Sequence, residues 1–322
     1  MHGRPLRSLE VCAGAGGQAL GLEQAGYKHV GLLELDAHAC RTLKRNRRMW
    51  PVIRADLRQF SAERLRGRVD LLAGGVPCPP FSVAGKQLGA DDDRDLFPQM
   101  VRLAEECRPN AVLVENVPGL IKPVFEEYRT ETVRALEEIG YAVQPWTVLN
   151  ASDFGAPQLR PRVVLVALLP EFAKLYESPT PALSSPVTVG TALRDEMASL
   201  GWDGADAWAK QAQSVAPTLV GGSKKHGGPD LGPTRAKAAW AKLGVNAHTI
   251  AETPPGPGFD GMPRLTVKMC GLIQGFDPDW EFTGLKTNAY RQVGNAFPPP
   301  VAKAVGLAIA SALGVKADEA AA

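Results

Sequence analysis

The 322-residue sequence has no apolar run long enough to cross a bilayer. Its longest candidates, Val163–Leu169 and the alanine-rich Ala304–Val315, fall well short of the roughly 20 residues that a spanning helix needs. The opening MHGRPLRSLE has no apolar signal segment. Cysteine is scarce and unpatterned, with five residues at positions 12, 40, 78, 107 and 270. An odd count without framework spacing argues for a reducing compartment, so a cytoplasmic protein is expected. CxxC and HExxH are absent, and no metal is expected. The ATPase phosphate cradle, GxxxxGK followed by Ser or Thr, is absent too.

What the chain does have is a sizeable core. Apolar residues make up 45 % and charged residues 22 %, which excludes a largely disordered chain. The length suits one core domain carrying a smaller one. Net charge is only +2, but its distribution is uneven. Residues 41–68 hold ten Arg/Lys against two acids, which reads either as a phosphate-facing patch or as a solvated helical face.

Short apolar runs alternate with helical patterns through the first half. Strands are expected at Leu6–Val11, Val30–Leu35, Val52–Arg54, Val69–Ala73, Ala111–Val114, Tyr141–Leu149 and Arg162–Leu169. Helices are expected at Ala37–Asn46, Leu96–Cys107 and Val124–Ile139, with another after the first glycine turn. This alternation predicts an α/β fold with a doubly wound, mostly parallel sheet. The pattern breaks after Pro170. Pro217–Gly261 holds nine glycines and six prolines in 45 residues, about three times the usual density. The apolar pattern resumes at Leu265–Phe276 and closes with Val301–Leu313. The expected division is a core over 1–188, an inserted lobe over 189–263, a return segment over 264–316 and a frayed tail over 317–322.

Two loops carry chemistry. CAGAGG (12–17) ends the first strand and opens a helix. Gly14, Gly16 and Gly17 let the backbone turn tightly and approach a ligand. Acids follow at the ends of the next two strands, Glu34 (or Asp36) and Asp56, placed to accept from ribose hydroxyls. The ligand is nucleotide-like. Cys78 stands in GGVPCPPFS (74–82) at another strand end, where a thiolate would be a competent nucleophile. The other four cysteines read as small buried hydrophobes. Glu115-Asn116 ends a further strand, and Gln158-Leu-Arg160-Pro-Arg162 adds two guanidiniums.

LEVCAGAGGQALGLEQAG (9–26), GGVPCPPFS (74–82), ENVPGL (115–120), QLRPR (158–162), RLTVKMCGLIQGF (264–276) and YRQVGNAFPPPVAKAVG (290–306) follow one another in this order. In that order they closely resemble the cytosine-C5 DNA methyltransferases of bacteria. The resemblance covers nearly the whole chain except 189–263, where the family carries its target recognition domain. It implies a Rossmann-like fold and S-adenosylmethionine as cofactor. It also implies double-stranded DNA as partner, no metal, a monomer, and possible pairing with a restriction endonuclease.

The resemblance further implies that Cys78 adds to C6 of a flipped-out cytosine. Glu115 holds and protonates N3, Arg162 lies near O2, and Arg160 supports the active-site loop. Gly14 and Gly16, with Gly17 beside them, should pass near the methionine part of the cofactor. Glu34 is expected on the ribose, Asp56 on the adenine amino group, and Asn295 on the cofactor pocket and active-site floor. Gln158 would brace the arginines. Phe81 and Ser82 belong to the loop that closes over DNA. In the insert, Lys224, Lys225, Arg235 and Lys237 are candidates for phosphates or guanine edges. Trp202, Trp208 and Trp240 read as the lobe's small core.

Three positions depart from the family pattern. Cys12 stands where phenylalanine is usual, Leu35 where a bulky or aromatic residue is usual, and Pro79 where glutamine is common. The first two leave open what packs on adenine. Rival readings are an RNA cytosine methyltransferase, a silent DNA-binding partner of the same fold, and a dinucleotide oxidoreductase. The last leaves PCPP, ENV and QLRPR unexplained. Retention of Cys78, Glu115 and both arginines argues against the silent partner.

Overall fold

A computed structural model describes residues 4–77, 95–181, 185–222 and 228–315. Cys78, Pro79, Phe81, Ser82, Lys224, Lys225 and the tail 317–322 lie outside the described residues. Eight strands form one sheet: β1 (Arg7–Val11), β2 (Lys28–Glu34), β3 (Val52–Arg54), β4 (Leu71–Gly74), β5 (Ala111–Asn116), β6 (Ala142–Val143), β7 (Thr147–Asn150) and β8 (Pro161–Leu168). Their order is β3-β2-β1-β4-β5-β8, with both β6 and β7 paired to the far side of β8. The first five are parallel, and the last three run antiparallel to their neighbours. Every residue of β4 and β5 is buried, as expected of strands covered on both faces.

The expected single strand Tyr141–Leu149 is two strands instead. Pro145 interrupts it, having no N–H to give the ladder. Gln144 N makes the last bond before the break, to Val166 O at 2.8 Å.

Strand order and direction position the chemistry. The chain winds outward from β1 to β3 and then crosses back to β4, so the loops after β1 and β4 diverge and open a crevice. β8 runs against β5, with Glu115 opposite Val164 and Asn116 opposite Val163. The start of β8, not its end, therefore lies at the carboxyl edge of the parallel strands. That brings QLRPR beside Glu115.

Helices α1 (Gly17–Gln24), α2 (Ala37–Asn46), α3 (Phe97–Cys107), α4 (Glu126–Glu138) and α5 (Pro170–Ala173) belong to the first half. Next come α6 (Val189–Ala198), α7 (Ala205–Gln211), α8 (Thr234–Lys242), α9 (Val267–Gln274), α10 (Lys286–Asn295) and α11 (Pro299–Ala312). One face of the sheet packs on α1 and α11 through Leu22, Leu71, Ala73, Leu113, Val301 and Val305. The other packs on α3 through Leu72, Val112, Val114, Met100 and Leu103. The two ends of the chain thus meet in one core.

Their approach leaves no room for side chains. A Cβ on Gly17 would lie 2.2 Å from Phe297 O, and one on Gly21 2.4 Å from Pro299 O. Gly17→Ala is therefore expected to destabilise the fold by about 3 kcal/mol, because backbone must give way. Urea unfolding checks this, and a variant within about 0.5 kcal/mol of the parent, the spread of neutral substitutions, would refute the tight approach.

The second lobe has its own core. Val189, Leu193, Trp202, Trp208, Trp240 and Ile250 form one apolar cluster with Leu265, Met269, Ile273, Tyr290 and Val293. The boundary expected at 263/264 therefore cuts through a single core. α9 packs with the insert, as do Tyr290 and Val293 of α10. The return to the sheet begins at Phe276, which packs with Trp280, Leu20 and Leu43, and continues from Ala296 and Phe297. The three tryptophans are buried in this lobe, and Trp202 Nε1 donates to Phe259 O at 2.9 Å.

The basic run 41–68 is partly spent inside the fold. Arg45 pairs with Glu281, Arg47 with Glu23 and Asp277, and Arg58 with Asp56. Arg66 donates to the carbonyls of Glu105 and Glu106.

Candidate active site

The carboxyl edge of the sheet holds two adjoining cavities. The first, about 260 Å³, is lined by the glycine turn after β1, by the end of β2 and by α10. The second, about 570 Å³, lies between the ends of β4 and β5, the start of β8 and residues 218–221 of the insert. Gly75, Glu115 and Asn295 line both. Whatever the two cavities hold meets at these three residues.

The first cavity is shaped by backbone. Gly14 has φ +54°, a left-handed conformation that glycine adopts without strain. Its N–H donates to Glu34 Oε2 at 2.7 Å, and Asp36 N donates to Glu34 Oε1 at 2.7 Å. Both oxygens are thereby aimed, and each keeps a lone pair for a hydroxyl. Gly16 also has positive φ (+90°) but does not line the cavity; a Cβ there would meet Leu43 and Trp280. Its work is to start α1. Gly17 lines the cavity, and its lack of a side chain also serves the contact with Phe297.

Asp56 does not line the first cavity. It caps the turn after β3, accepting from Arg58 N at 3.0 Å and from the Arg58 guanidinium. Those bonds hold its carboxyl below the usual range. Leu35 is 58 % exposed and is not a lining residue either. Among the described residues, the ring-bearing ones that line the cavity are His38, which no sequence signal had marked, and Phe297, which lies within the motif at 290–306.

Cys12 lines the cavity with φ +52°. Burial, then Glu34 and Asp56, push its thiol up to about 12, so it stays protonated and unreactive. Burial likewise raises Cys40, Cys107 and Cys270.

The second cavity holds the polar centre. Arg162 Nε donates to Glu115 Oε1 at 2.8 Å, and both residues are buried. Burial raises the Glu115 carboxyl above its ordinary value, against the opposing pull of Arg162 and Arg160. A Cβ on Gly75 would come within 2.8 Å of Glu115 Oε2, so only glycine leaves that oxygen accessible. Asn116 Nδ2 donates to Val76 O at 2.9 Å, tying the end of β5 to the segment that leads to Cys78.

Arg160 is 1 % exposed and its guanidinium is spent on backbone. It donates to Leu219 O (2.6 Å), Gly294 O (2.6 Å) and Ala296 O (3.0 Å). It clamps the insert and the return segment behind the site. Gln158 does not brace the arginines. Its Nε2 donates to Gln274 Oε1 at 2.5 Å, and its Oε1 accepts from Leu219 N at 2.7 Å. Gln274 in turn donates to Val293 O and Ala296 O. This glutamine pair lies within two recognised motifs, but nothing in their spacing pairs them.

In the insert, Arg235 is exposed, while Lys237 pairs with Asp230 at 3.0 Å. Among the described residues no cluster of three or more His, Cys, Asp or Glu is arranged for a metal. Nor is any described helix long and apolar enough to cross a membrane.

The lining of the first cavity fits a cationic nucleoside cofactor. Two carboxylates, Glu34 and Asp36, and one guanidinium, Arg291, border it, with the Glu115 carboxyl at its junction with the second cavity. Glu34 is pre-oriented for a diol, and the glycine turn leaves room for a ligand against backbone. A sulfonium such as that of S-adenosylmethionine suits this charge.

Comparisons with known proteins agree. Residues 6–311 match the model of the family described as C-5 cytosine-specific DNA methylase. The chain is 54 % identical over 320 residues to the type II methyltransferase M.NaeI of Lentzea aerocolonigenes, covering 97 % of this chain and 76 % of that protein. It is 50 % identical over 315 residues to the type II methyltransferase M.NgoMIV of Neisseria gonorrhoeae, covering 95 % and 97 %. Among solved structures, the Dnmt2 methyltransferase of S. pombe superposes with a TM-score of 0.65 at 16 % identity, covering 96 % of this chain and 99 % of that one. That last likeness concerns the fold alone.

Proposed function

The chain belongs to the C-5 cytosine-specific DNA methylases, and from that premise we propose that its two cavities divide the reaction, with cofactor in the first and a flipped-out cytosine in the second. The enzyme transfers the methyl group of S-adenosylmethionine to cytosine in duplex DNA. The observation that carries the proposal is that Gly75, Glu115 and Asn295 line both cavities. A target atom inside a base stack is out of reach, so the base must leave the helix. The second cavity, about 570 Å³, is ample for one pyrimidine.

The residue roles follow from the chemistry of cytosine. C6 is a poor electrophile until charge on N3 and O2 is relieved. Glu115, whose raised pKa favours the protonated carboxyl, gives its proton to N3 as the Cys78 thiolate bonds to C6. Arg162 steadies the resulting Glu115 carboxylate through its Nε and donates to O2. Addition at C6 leaves C5 electron-rich, facing the first cavity. Bound S-adenosylmethionine supplies an electrophilic methyl group there. Transfer of the C5 proton to solvent water, with its electron pair expelling the Cys78 thiolate from C6, and return of the N3 proton to Glu115 release 5-methylcytosine. Phe81 and Ser82, which lie outside the described residues, are candidates to contact the DNA. Glu34 holds the ribose, with Gly14 and Asn295 shaping the cofactor cavity.

The insert reads as the target recognition domain, specifying one short sequence, with Arg235 its best described candidate for a phosphate or guanine edge. The similar proteins are named type II methyltransferases, which supports protection of host DNA beside a restriction endonuclease; a monomer acting in the cytoplasm is the form this reading expects.

The test is chemical. DNA from a methylation-free host expressing the chain is expected to carry 5-methylcytosine at one short motif, mapped at single-base resolution. A duplex with 5-fluorocytosine at that position should trap the protein, because fluorine does not leave C5 as a proton does. The adduct should fall on the peptide containing Cys78. Unmodified host DNA, or an adduct on another residue, would overturn the assignment.

A further inference from the structure

A buried polar chain runs from the sheet core to the cofactor cavity, and the reaction outlined above makes no use of it. Ser8 and Glu10, both inaccessible, stand on β1, and His29 stands beside them on β2. Ser8 Oγ lies 2.7 Å from His29 Nδ1, and the same nitrogen lies 3.0 Å from Glu10 Oε1. The other carboxylate oxygen, Oε2, accepts from Gln18 Nε2 at 3.4 Å. Gln18 is 6 % exposed, sits in the first turn of α1 and lines the first cavity. Its carbonyl oxygen Oε1 is buried with no hydrogen-bond partner.

The chain fixes which end of the amide is free. Glu10 takes the NH2 end, since turning Oε1 toward a carboxylate would set acceptor against acceptor. What remains is an acceptor in the cavity wall. The last side-chain torsion of glutamine is soft, so a small rotation brings Oε1 to a ligand while Nε2 stays within reach of Glu10. A buried carbonyl without a partner is costly, and a ligand N–H relieves that cost.

Position says which part of the ligand meets it. Gly17, next to Gln18, packs against Ala296 and Phe297, beside Asn295 and the junction with the second cavity. Glu34 and His38 belong to β2 and α2, the ribose side. The sulfur carries the methyl, the ribose and the methionyl chain; with the methyl at the junction and the ribose on the Glu34 side, the methionyl chain takes the remaining wall, beside Gln18. Its α-ammonium is the strong donor there.

We propose that Gln18, oriented by Glu10, accepts a hydrogen bond from the α-ammonium of the cofactor and selects ligands that carry it. This rests on the cofactor assignment above. The experiment is calorimetric titration with S-adenosylmethionine and with 5′-methylthioadenosine, which keeps the nucleoside and lacks the amino acid. Gln18→Leu is expected to weaken S-adenosylmethionine about tenfold, the scale of a hydrogen bond to a charged group, and to leave methylthioadenosine within about twofold. If the leucine variant does not fold, the parent is titrated with a cofactor analogue whose α-amino group is replaced by hydrogen, and about tenfold weaker binding is expected. Equal losses for both ligands, no loss in Gln18→Leu, or no discrimination by the parent would overturn the inference. A parent that binds neither S-adenosylmethionine nor methylthioadenosine would instead overturn the cofactor assignment.

Discussion

Replacing Glu115 by glutamine is expected to lower methyl transfer about 1,000-fold, or about 4 kcal/mol of transition-state stabilisation. Glutamine fills the same space and still offers an N–H toward N3 of cytosine. It has no proton to give, so negative charge builds on the ring as Cys78 attacks. The amide can still accept from Arg162 Nε, which lies 2.8 Å from the Glu115 carboxyl, but it forms no carboxylate for that guanidinium to steady after attack. Affinity for S-adenosylmethionine should change little, because Glu115 is one lining residue among many in the first cavity.

The parent's pH profile supplies a second readout. Burial raises the Glu115 carboxyl, so it holds its proton to higher pH than an ordinary glutamate. Turnover should fall as pH rises through that raised value, since the proton donor is lost. The Glu115→Gln enzyme should lack this limb. Single-turnover transfer of a labelled methyl group to duplex DNA measures both effects. A variant within about tenfold of the parent, with the same pH limb, would remove Glu115 from the proton transfer.

Much of this arrangement was legible in the sequence because its signals are local. A buried parallel strand is a short apolar run, and β3 and α2 fall where the pattern predicts them. Glycine turns and strand-end acids announce a ligand edge. The family motifs extend this to the reacting groups proposed above. What the sequence hid depends on contacts between distant segments. Arg160 and Arg162 are two residues apart with identical chemistry. One faces Glu115 from within β8, while the other, just before that strand begins, is consumed by three carbonyls of distant segments. The second lobe's boundary was misread for a similar reason. α9 resembles a core helix in its apolar pattern, and nothing in that pattern says which of two cores it joins. Asp56 carries the right charge at the right strand end, but Arg58, two residues on, takes up its carboxylate.

Arg160→Met is expected to destabilise the protein by about 4 kcal/mol, although it swaps a charged residue for an apolar one of similar length at a buried site. Two effects oppose each other. Burial and the nearby charge of Arg162 make the Arg160 cation costly, lowering its pKa well below the usual value, and methionine removes that cost. Against it stand three carbonyls, of Leu219, Gly294 and Ala296, that lose this donor. Ala296 O keeps Gln274 as donor, but for the carbonyls of Leu219 and Gly294 each such loss costs about 1–3 kcal/mol, and together they outweigh the desolvation saved. A lysine at this position offers one compact ammonium in place of a planar fork, so Arg160→Lys should recover only part of the loss. The carbonyls belong to the insert and to the segment around Asn295, the wall between the two cavities. Methyl transfer should therefore fall along with stability in Arg160→Met, even at temperatures where the variant remains folded. Urea unfolding followed by tryptophan fluorescence reads the first effect, and single-turnover transfer at low temperature the second. A methionine variant within about 1 kcal/mol of the parent would mean that the three carbonyls find other donors, and that the clamp is not what holds the wall in place.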